Sequence, residues 1–248
     1  MGLETRGLPR LFVEHELDGD TVTLDEREAH YLGHVLRLKR GDSLVAFNGR
    51  GTERVAAIGA LQRRGAVLEL NAVHTPLPES RLELTLIQAL PKSDAMDLVV
   101  QKATELGVQT IVPAITEFSV VRLDTERSER RVDHWRKIAR SSCEQCGRHR
   151  PPTIAAPLAL ADALATVPAR ALRLAFDPAA ASSLAGQTHP RDGLAIAVGP
   201  EGGFGAADWR RLDAAQFVRV TLGRRVLRAE TAAIAACAVA QSLWGDNN

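Results

Sequence analysis

The sequence predicts a small N-terminal β-barrel joined to a C-terminal α/β domain with a mostly parallel sheet. Three observations carry this. Residues 1–75 contain short runs in which apolar and polar residues alternate. From residue 81 onward strand-like runs alternate with helical ones. Between the two, the segment from His74 to Ser80 holds Pro76 and Pro78, which can continue neither a helix nor a ladder. The expected organisation is therefore 1–75 as the barrel, 76–80 as a linker and 81–248 as the α/β domain.

In the first part, alternation marks strands at Thr21–Leu24, Ser43–Phe47, Arg54–Ile58 and Ala66–Leu70. Asn48-Gly49-Arg50-Gly51 is a hairpin signal, because Asn and Gly tolerate the positive φ of tight turns. Arg63-Arg64-Gly65 marks a second turn. Asp25 is the expected N-cap of one helix, with Glu26 and Glu28 in its first turn and an end near Leu36. Several short strands with one helix suit a small barrel.

In the second part the expected order is strand Leu82–Leu90, helix Ser93–Leu106 closed by Gly107, strand Thr110–Ile115 and a long helix Thr125–Gly147 stopped by Pro151-Pro152. Helix Leu158–Val167 and strand Ala171–Phe176 follow. Gly193–Val198 is almost unbroken apolar sequence, the pattern of a strand buried on both faces. Then come a loop to Gly205, helix Ala206–Ala215, strand Phe217–Leu222, a loop to Ala229 and helix Glu230–Leu243.

The 248 residues carry a formal net charge of +1, with 45% hydrophobic and 25% charged residues, which excludes a disordered chain. No run approaches the roughly 18 apolar residues of a membrane span. The first twenty residues hold no apolar signal-peptide core. Three cysteines cannot make a secreted disulfide framework, so the cytoplasm is the expected compartment. Of 31 basic residues, 27 are Arg, a bias that a GC-rich genome also produces, so only the positions of the arginines are informative. Residues 1–80 have a net charge of −2, residues 81–248 of +3, and residues 118–150 alone of +4. Arg219, Arg224, Arg225 and Arg228 fall within ten residues that contain no acid. Near-neutrality excludes a globally basic nucleic-acid binder but not a local basic face.

No dinucleotide-binding glycine fingerprint, P-loop or nucleophile elbow is present. His30 and His34 share a helix face without a third ligand, so no metal site is expected. Cys143 and Cys146 form a C-x-x-C near the end of a long helix, not at the start of one, and read as helical neighbours rather than a redox pair. The informative segment comes later. Gly199-Pro200-Glu201-Gly202-Gly203-Phe204 follows the buried strand and precedes a helix. Open α/β sheets bind ligands at that edge, and backbone N–H groups exposed there can hold a ligand's polar atoms. A second loop, Leu222-Gly223-Arg224-Arg225-Val226-Leu227-Arg228, ends the next strand. The two are either two walls of one pocket or two unrelated turns.

These two loops, the second continuing into Glu230-Thr231-Ala232, resemble the RsmE family of the SPOUT superfamily. The resemblance extends over Arg10–Val13, His30–Asp42, the segment from Lys92 to Pro113, and Glu144-Gln145 with Arg148. Phe118 departs from it, standing before Ser119 where the family usually has Arg. The resemblance implies S-adenosylmethionine-dependent methylation of uridine N3 in 16S rRNA, a PUA-like barrel for RNA and a homodimeric α/β domain with a deep trefoil knot. It implies a cofactor site at Gly199, Pro200, Glu201, Gly202, Gly203, Leu222, Gly223, Leu227, Thr231 and Ala232. Its expected partner is 16S rRNA in the assembled 30S subunit, with no membrane.

Methylation at N3 requires loss of a proton and stabilisation of the negative charge spreading to O2 and O4. A fixed cation suits that charge, and Arg228 is the first candidate. Glu230 or Glu201 could accept the proton, or could instead be a helix-start carboxylate satisfying backbone amides. Arg10, Arg37, Arg122, Arg148 and Arg225 are candidate RNA contacts. Two other functions fit the same residues: methylation of another RNA site, such as a ribose 2′-hydroxyl, and a non-catalytic RNA-binding assembly factor.

Overall fold

The computed structural model describes residues 7–92, 95–119 and 125–247. The described residues form two compact units. One comprises the chain up to Glu79 together with Cys143–Arg150, the other Ser80–Ser142 together with Pro151 onward.

The first unit contains β1 (Arg10–Phe12), β2 (Thr21–Leu24), α1 (Glu26–His30), β3 (Ser43–Phe47), β4 (Glu53–Gln62) and β5 (Gly65–His74). They form a five-stranded sheet in the order β1-β3-β4-β5-β2, with β1 parallel to β3 and the other pairs antiparallel. Register shifts between β4 and β5 bend these long strands around one apolar core that includes Leu32, Leu44, Ile58 and Leu68. The β3–β4 turn is held by Asn48 Oδ1, which accepts from Arg50 N at 3.0 Å, with Gly49 at φ 74°. Asp25 caps α1 as its sequence predicts: Glu28 N donates to Asp25 Oδ1 at 2.8 Å, and Asp25 N donates back to Glu28 Oε2 at 2.9 Å. The helix expected to reach Leu36 instead widens into a π-helical turn over Tyr31–Val35. It ends at Arg37, a non-glycine residue at φ 56°. The wide turn keeps Leu32 in the core and stacks His30 on His34 with ring centroids 4.4 Å apart.

An ionic network closes this unit. Glu53, 1% exposed, faces both Arg10, with Nη1 to Oε2 at 3.2 Å, and His74, with Nδ1 to Oε2 at 2.7 Å. Arg10 also donates to Arg148 O at 3.1 Å and lies 4.7 Å above the Phe47 ring. Glu144 accepts from Phe12 N at 2.9 Å and from Tyr31 Oη at 3.0 Å. Arg148 Nε pairs with Glu79 Oε2 at 2.8 Å. Segment Cys143–Arg150 is therefore tied to the β-strands by buried polar contacts.

Burial pushes the Glu53 carboxyl up, but hydrogen bonds and charge from Arg10 and His74 outweigh it and hold the group below its ordinary value. A depressed carboxylate contributes stability above its unfolded pKa of about 4.3 and loses it as pH falls through the folded value. The contribution of Glu53 is thus expected to disappear as acid is added below about pH 4. Glu53→Gln is expected to lower unfolding free energy at pH 7 by about 3 kcal/mol, because it leaves the largely buried Arg10 guanidinium without its carboxylate. Urea denaturation measures this, and wild-type stability in the variant would contradict it.

The second unit contains β6 (Leu84–Ala89), α2 (Ala95–Glu105), β7 (Thr110–Ile115), α3 (Thr125–Cys146), β8 (Thr153–Ile154), β9 (Leu158–Ala159) and α4 (Leu160–Ala165). After these come β10 (Leu172–Phe176), β11 (Leu194–Val198), α5 (Ala206–Ala214), β12 (Val218–Val220) and α6 (Ala229–Trp244). The seven strands lie in the order β12-β10-β11-β6-β7-β8, with β9 also beside β7, and every pair is parallel. As its composition predicts, β11 is buried throughout. Leu194, Ile196 and Val198 enter a core with α2, α3 and α6, while Ala195 and Ala197 enter one with α4 and α5. Gly107 ends α2 at φ 76°. The helix expected from Leu158 begins only at Leu160, because Leu158 and Ala159 pair with Ala114 and Ile115.

All three cysteines are free. Burial pushes the Cys143 and Cys237 thiols up to about 12, which keeps them protonated and unreactive. Among the described residues, no helix is long and apolar enough to cross a membrane.

Candidate functional site

Three neighbouring strands, β12, β10 and β11, end at one edge of the sheet, and a cavity of about 330 Å³ lies there. The Gly199–Gly205 loop leaves β11 and forms one wall. Gly203 N donates to Pro200 O at 2.8 Å, closing a tight turn with Gly203 at φ 71°. A Cβ on Gly199 would lie 3.1 Å from the Gly203 carbonyl carbon and 3.2 Å from Phe204 N, so a side chain there would push the loop's own backbone back by a few tenths of an ångström.

Both ends of this loop are fastened. Glu201 accepts from Lys92 N at 3.0 and 3.3 Å. Asp208, with no exposed surface, accepts from Gly205 N at 3.1 Å and Glu117 N at 3.0 Å. The opposite wall is the Thr221–Leu227 loop, where Thr221 Oγ1 donates to Gly223 O at 2.9 Å and accepts from Gly223 N at 3.2 Å. The start of α6 contributes Ala229 and Ala232. The two glycine loops are thus walls of one pocket.

Of the residues expected to line it, Gly199, Pro200, Glu201, Gly202, Gly203, Leu222, Leu227 and Ala232 do so, and Arg225 joins them. Gly223 and Thr231 are exposed and lie outside the lining. A third wall, Phe176-Asp177-Pro178 at the end of β10, was not expected. Its one sequence signal is an Asp-Pro step directly after a strand. Asp177 N donates to Val220 O at 2.9 Å, and Asp177 Oδ1 accepts from Ala179 N at 2.9 Å, so the carboxylate is held at the pocket wall.

Arg228 is the N-cap residue of α6 with no side-chain cap bond, and Glu230 lies in the first turn. Arg224, Arg225 and Arg228 are exposed, and among the described residues none makes an ion pair or side-chain hydrogen bond. Cations at a helix N-terminus oppose the helix dipole. Arg228 at the N-cap, with Arg224 and Arg225 in the loop before it, leaves positive charge beside the pocket that no described acidic side chain neutralises. Glu201 is not at a helix start: it lies in the loop between β11 and α5 and accepts from the distant Lys92 N.

The other arginines divide differently. Arg37 is exposed and carries no partner among the described residues. Arg122 lies outside the described residues. Arg10 and Arg148, expected to contact RNA, have side chains only 14% and 11% exposed and are paired with Glu53 and Glu79. Both guanidinium groups serve the internal network. A wider surface furrow of about 1130 Å³ in the first unit is lined by Arg27, His30, His34 and Arg63 together with Asp25 and Glu26. No group of three His, Cys, Asp or Glu residues able to hold a metal ion occurs among the described residues.

A parallel sheet with a glycine-walled pocket at its carboxyl edge and a bare cationic rim defines a ligand-binding α/β enzyme domain for an anionic partner. The sequence matches the RNA methyltransferase domain family over residues 78–241 and the RNA methyltransferase PUA domain family over residues 24–71. A crystal structure of a ribosomal RNA small subunit methyltransferase E from Neisseria gonorrhoeae, bound to S-adenosyl methionine, is similar with a TM-score of 0.90 and 35% identity, covering 97% of this chain and 100% of that one. The ribosomal RNA small subunit methyltransferase E of Synechocystis sp. is 32% identical over 90% of this chain and 73% of its own length. That of Buchnera aphidicola subsp. Acyrthosiphon pisum is 28% identical over 98% and 97%. The chain belongs to the ribosomal RNA small subunit methyltransferase E family of RNA methyltransferases.

Proposed function

We propose that this protein transfers a methyl group from S-adenosylmethionine to N3 of a uridine in 16S rRNA. The observation that carries the reading is the glycine-walled pocket lined by exposed Arg225, with exposed Arg224 and Arg228 in the same loop segment. The residues present fit the cofactor. The cavity volume lies within the range for small-molecule sites. Phe176, Val198, Leu222 and Leu227 supply apolar wall for a flat base, and the Asp177 and Glu201 carboxylates suit a ligand carrying positive charge. When bound, S-adenosylmethionine supplies an electrophilic methyl on a sulfonium.

The chain's own residues do the rest. The fastened loops fix the pocket before the substrate arrives, so binding costs little reorganisation. Arg228 sits at the rim and stabilises the negative charge that develops on uracil O2 and O4 as N3 loses its proton. Glu230, in the first turn of α6, is the proton acceptor of this scheme. Glu201 holds the loop through Lys92 N. The same reading includes a SPOUT-type knot in the α/β domain, closure of the N-terminal sheet as a PUA-like barrel, a homodimer, the assembled 30S subunit as substrate and a cytoplasmic location. It rests on family membership together with the site geometry.

Labelled methyl transfer to assembled 30S subunits and to naked 16S rRNA tests this. The reading expects transfer to the subunit, and no transfer to either substrate would overturn it. Exposed arginines also set a salt dependence. Arg37→Ala and Arg225→Ala are each expected to flatten the slope of log affinity against log salt by about 1. Filter binding at several salt concentrations measures this, and an unchanged slope removes that residue from the RNA contact.

A further inference from the structure

We propose that Phe118 is a stacking platform for an unpaired base of the RNA substrate as it enters the pocket. The inference rests on the RNA methyltransferase reading above and assigns that site a substrate-binding residue. Of the six phenylalanines in the chain, Phe118 alone is exposed, at 49%; the other five are buried or half-buried.

Its position is fixed rather than incidental. Ser119 N donates to Thr116 O at 3.0 Å, and Thr116 N donates to Ser119 Oγ at 3.1 Å, making a closed turn with Phe118 near its tip. The turn is pinned to the start of α5. Glu117 N donates to Asp208 Oδ2 at 3.0 Å, and Ala207 N donates to Glu117 Oε2 at 3.3 Å. The buried Asp208 carboxylate thus anchors both this turn and the glycine loop.

The ring lies against that loop. A Cβ on Gly202 would be 3.4 Å from Phe118 Cβ and 3.5 Å from Cδ2. Gly202 lines the pocket, so Phe118 is one residue removed from the cavity while half its surface faces water. The same pocket is lined by exposed Arg225. A cationic rim with an aromatic ring is the combination that binds single-stranded nucleic acid: the cations take phosphates, and the ring takes the face of a base. A single exposed apolar side chain is ordinary on a surface. One carried on a turn that four hydrogen bonds from Thr116, Glu117 and Ser119 hold beside the glycine loop of an RNA-modifying pocket is placed for a flat partner.

Full-length Phe118→Ala, Phe118→Leu and Phe118→Trp variants test this with 30S subunits lacking the modification. Stacking predicts that Ala and Leu lower kcat/KM for the subunit by about 10-fold or more, that Trp retains most of it, and that S-adenosylmethionine affinity by calorimetry stays within about 2-fold in all three. Wild-type kcat/KM in the Leu variant would overturn the proposal, since an apolar contact alone would then suffice. So would a loss of cofactor affinity in step with turnover, which would make the ring a prop for Gly202. A separate arm follows Trp fluorescence of the Phe118→Trp protein, compared with the parent, on adding a single-stranded uridine-containing 16S rRNA fragment. Quenching by the fragment, with no methyl transfer by the wild type to 30S subunits or to naked 16S rRNA, leaves the platform standing and overturns the methylation reading. Absence of quenching overturns the platform.

Discussion

Arg228→Ala is expected to lower methyl transfer to the small subunit by about 100-fold or more, while S-adenosylmethionine affinity changes by less than about 2-fold. The expectation follows from where the charge sits. Arg228 is the N-cap residue of α6, its side chain makes no cap bond, it is exposed, and it pairs with no acid among the described residues. It also does not line the cavity, so cofactor contacts should survive its loss. Removing one preorganised donor from a developing oxyanion costs about 10²–10³ in turnover in well-studied enzymes. Stability should not fall, because a cation at a helix N-terminus opposes the dipole. Single-turnover transfer assays and calorimetry separate the two effects. Wild-type turnover would remove Arg228 from the chemistry.

Gly199→Ala is expected to act on the other half of the reaction, weakening S-adenosylmethionine by about 10-fold or more. The added methyl would meet backbone atoms of Gly203 and Phe204 at 3.1–3.2 Å, and backbone cannot swing aside as a flexible side chain would. The loop backbone has to shift by a few tenths of an ångström, yet its ends are held by Glu201 on Lys92 N and by Asp208 on Gly205 N. Strain is therefore transmitted to the pocket wall. Calorimetric titration measures it, and wild-type affinity would mean that the loop is looser than its contacts imply.

How much of this was legible in the sequence follows from the range over which each signal acts. Local signals were readable: the Asp25 capping box, the hairpin at Asn48–Gly51, the fully apolar β11 and the glycine loop behind it. Very short elements were not. Strands β1, β8 and β9 have two or three residues, too few to display a period, and their pairing is decided by neighbours far along the chain. The π-turn after His30 depends on packing Leu32, which no local pattern reveals. Charged residues divide in the same way. Arg10 and Arg148 looked like Arg225 in sequence, yet their partners Glu53 and Glu79 stand 43 and 69 residues away. Lys92 N and Glu201 are 109 residues apart, and Glu117 and Asp208 are 91 apart, so the clamps of the pocket were invisible before folding. Arg228 stayed readable as a candidate because its lack of an acid neighbour within the loop persists in three dimensions.

The central claim is that the pocket and its bare arginines methylate uridine at N3 in 16S rRNA. Nucleoside mass spectrometry of 16S rRNA from a strain deleted for this protein tests it most directly. The account predicts that one 3-methyluridine disappears on deletion and returns with the wild-type chain but not with Arg228→Ala. An undiminished 3-methyluridine signal in the deletion strain, or loss of a ribose 2′-O-methyl nucleoside in its place, would contradict it.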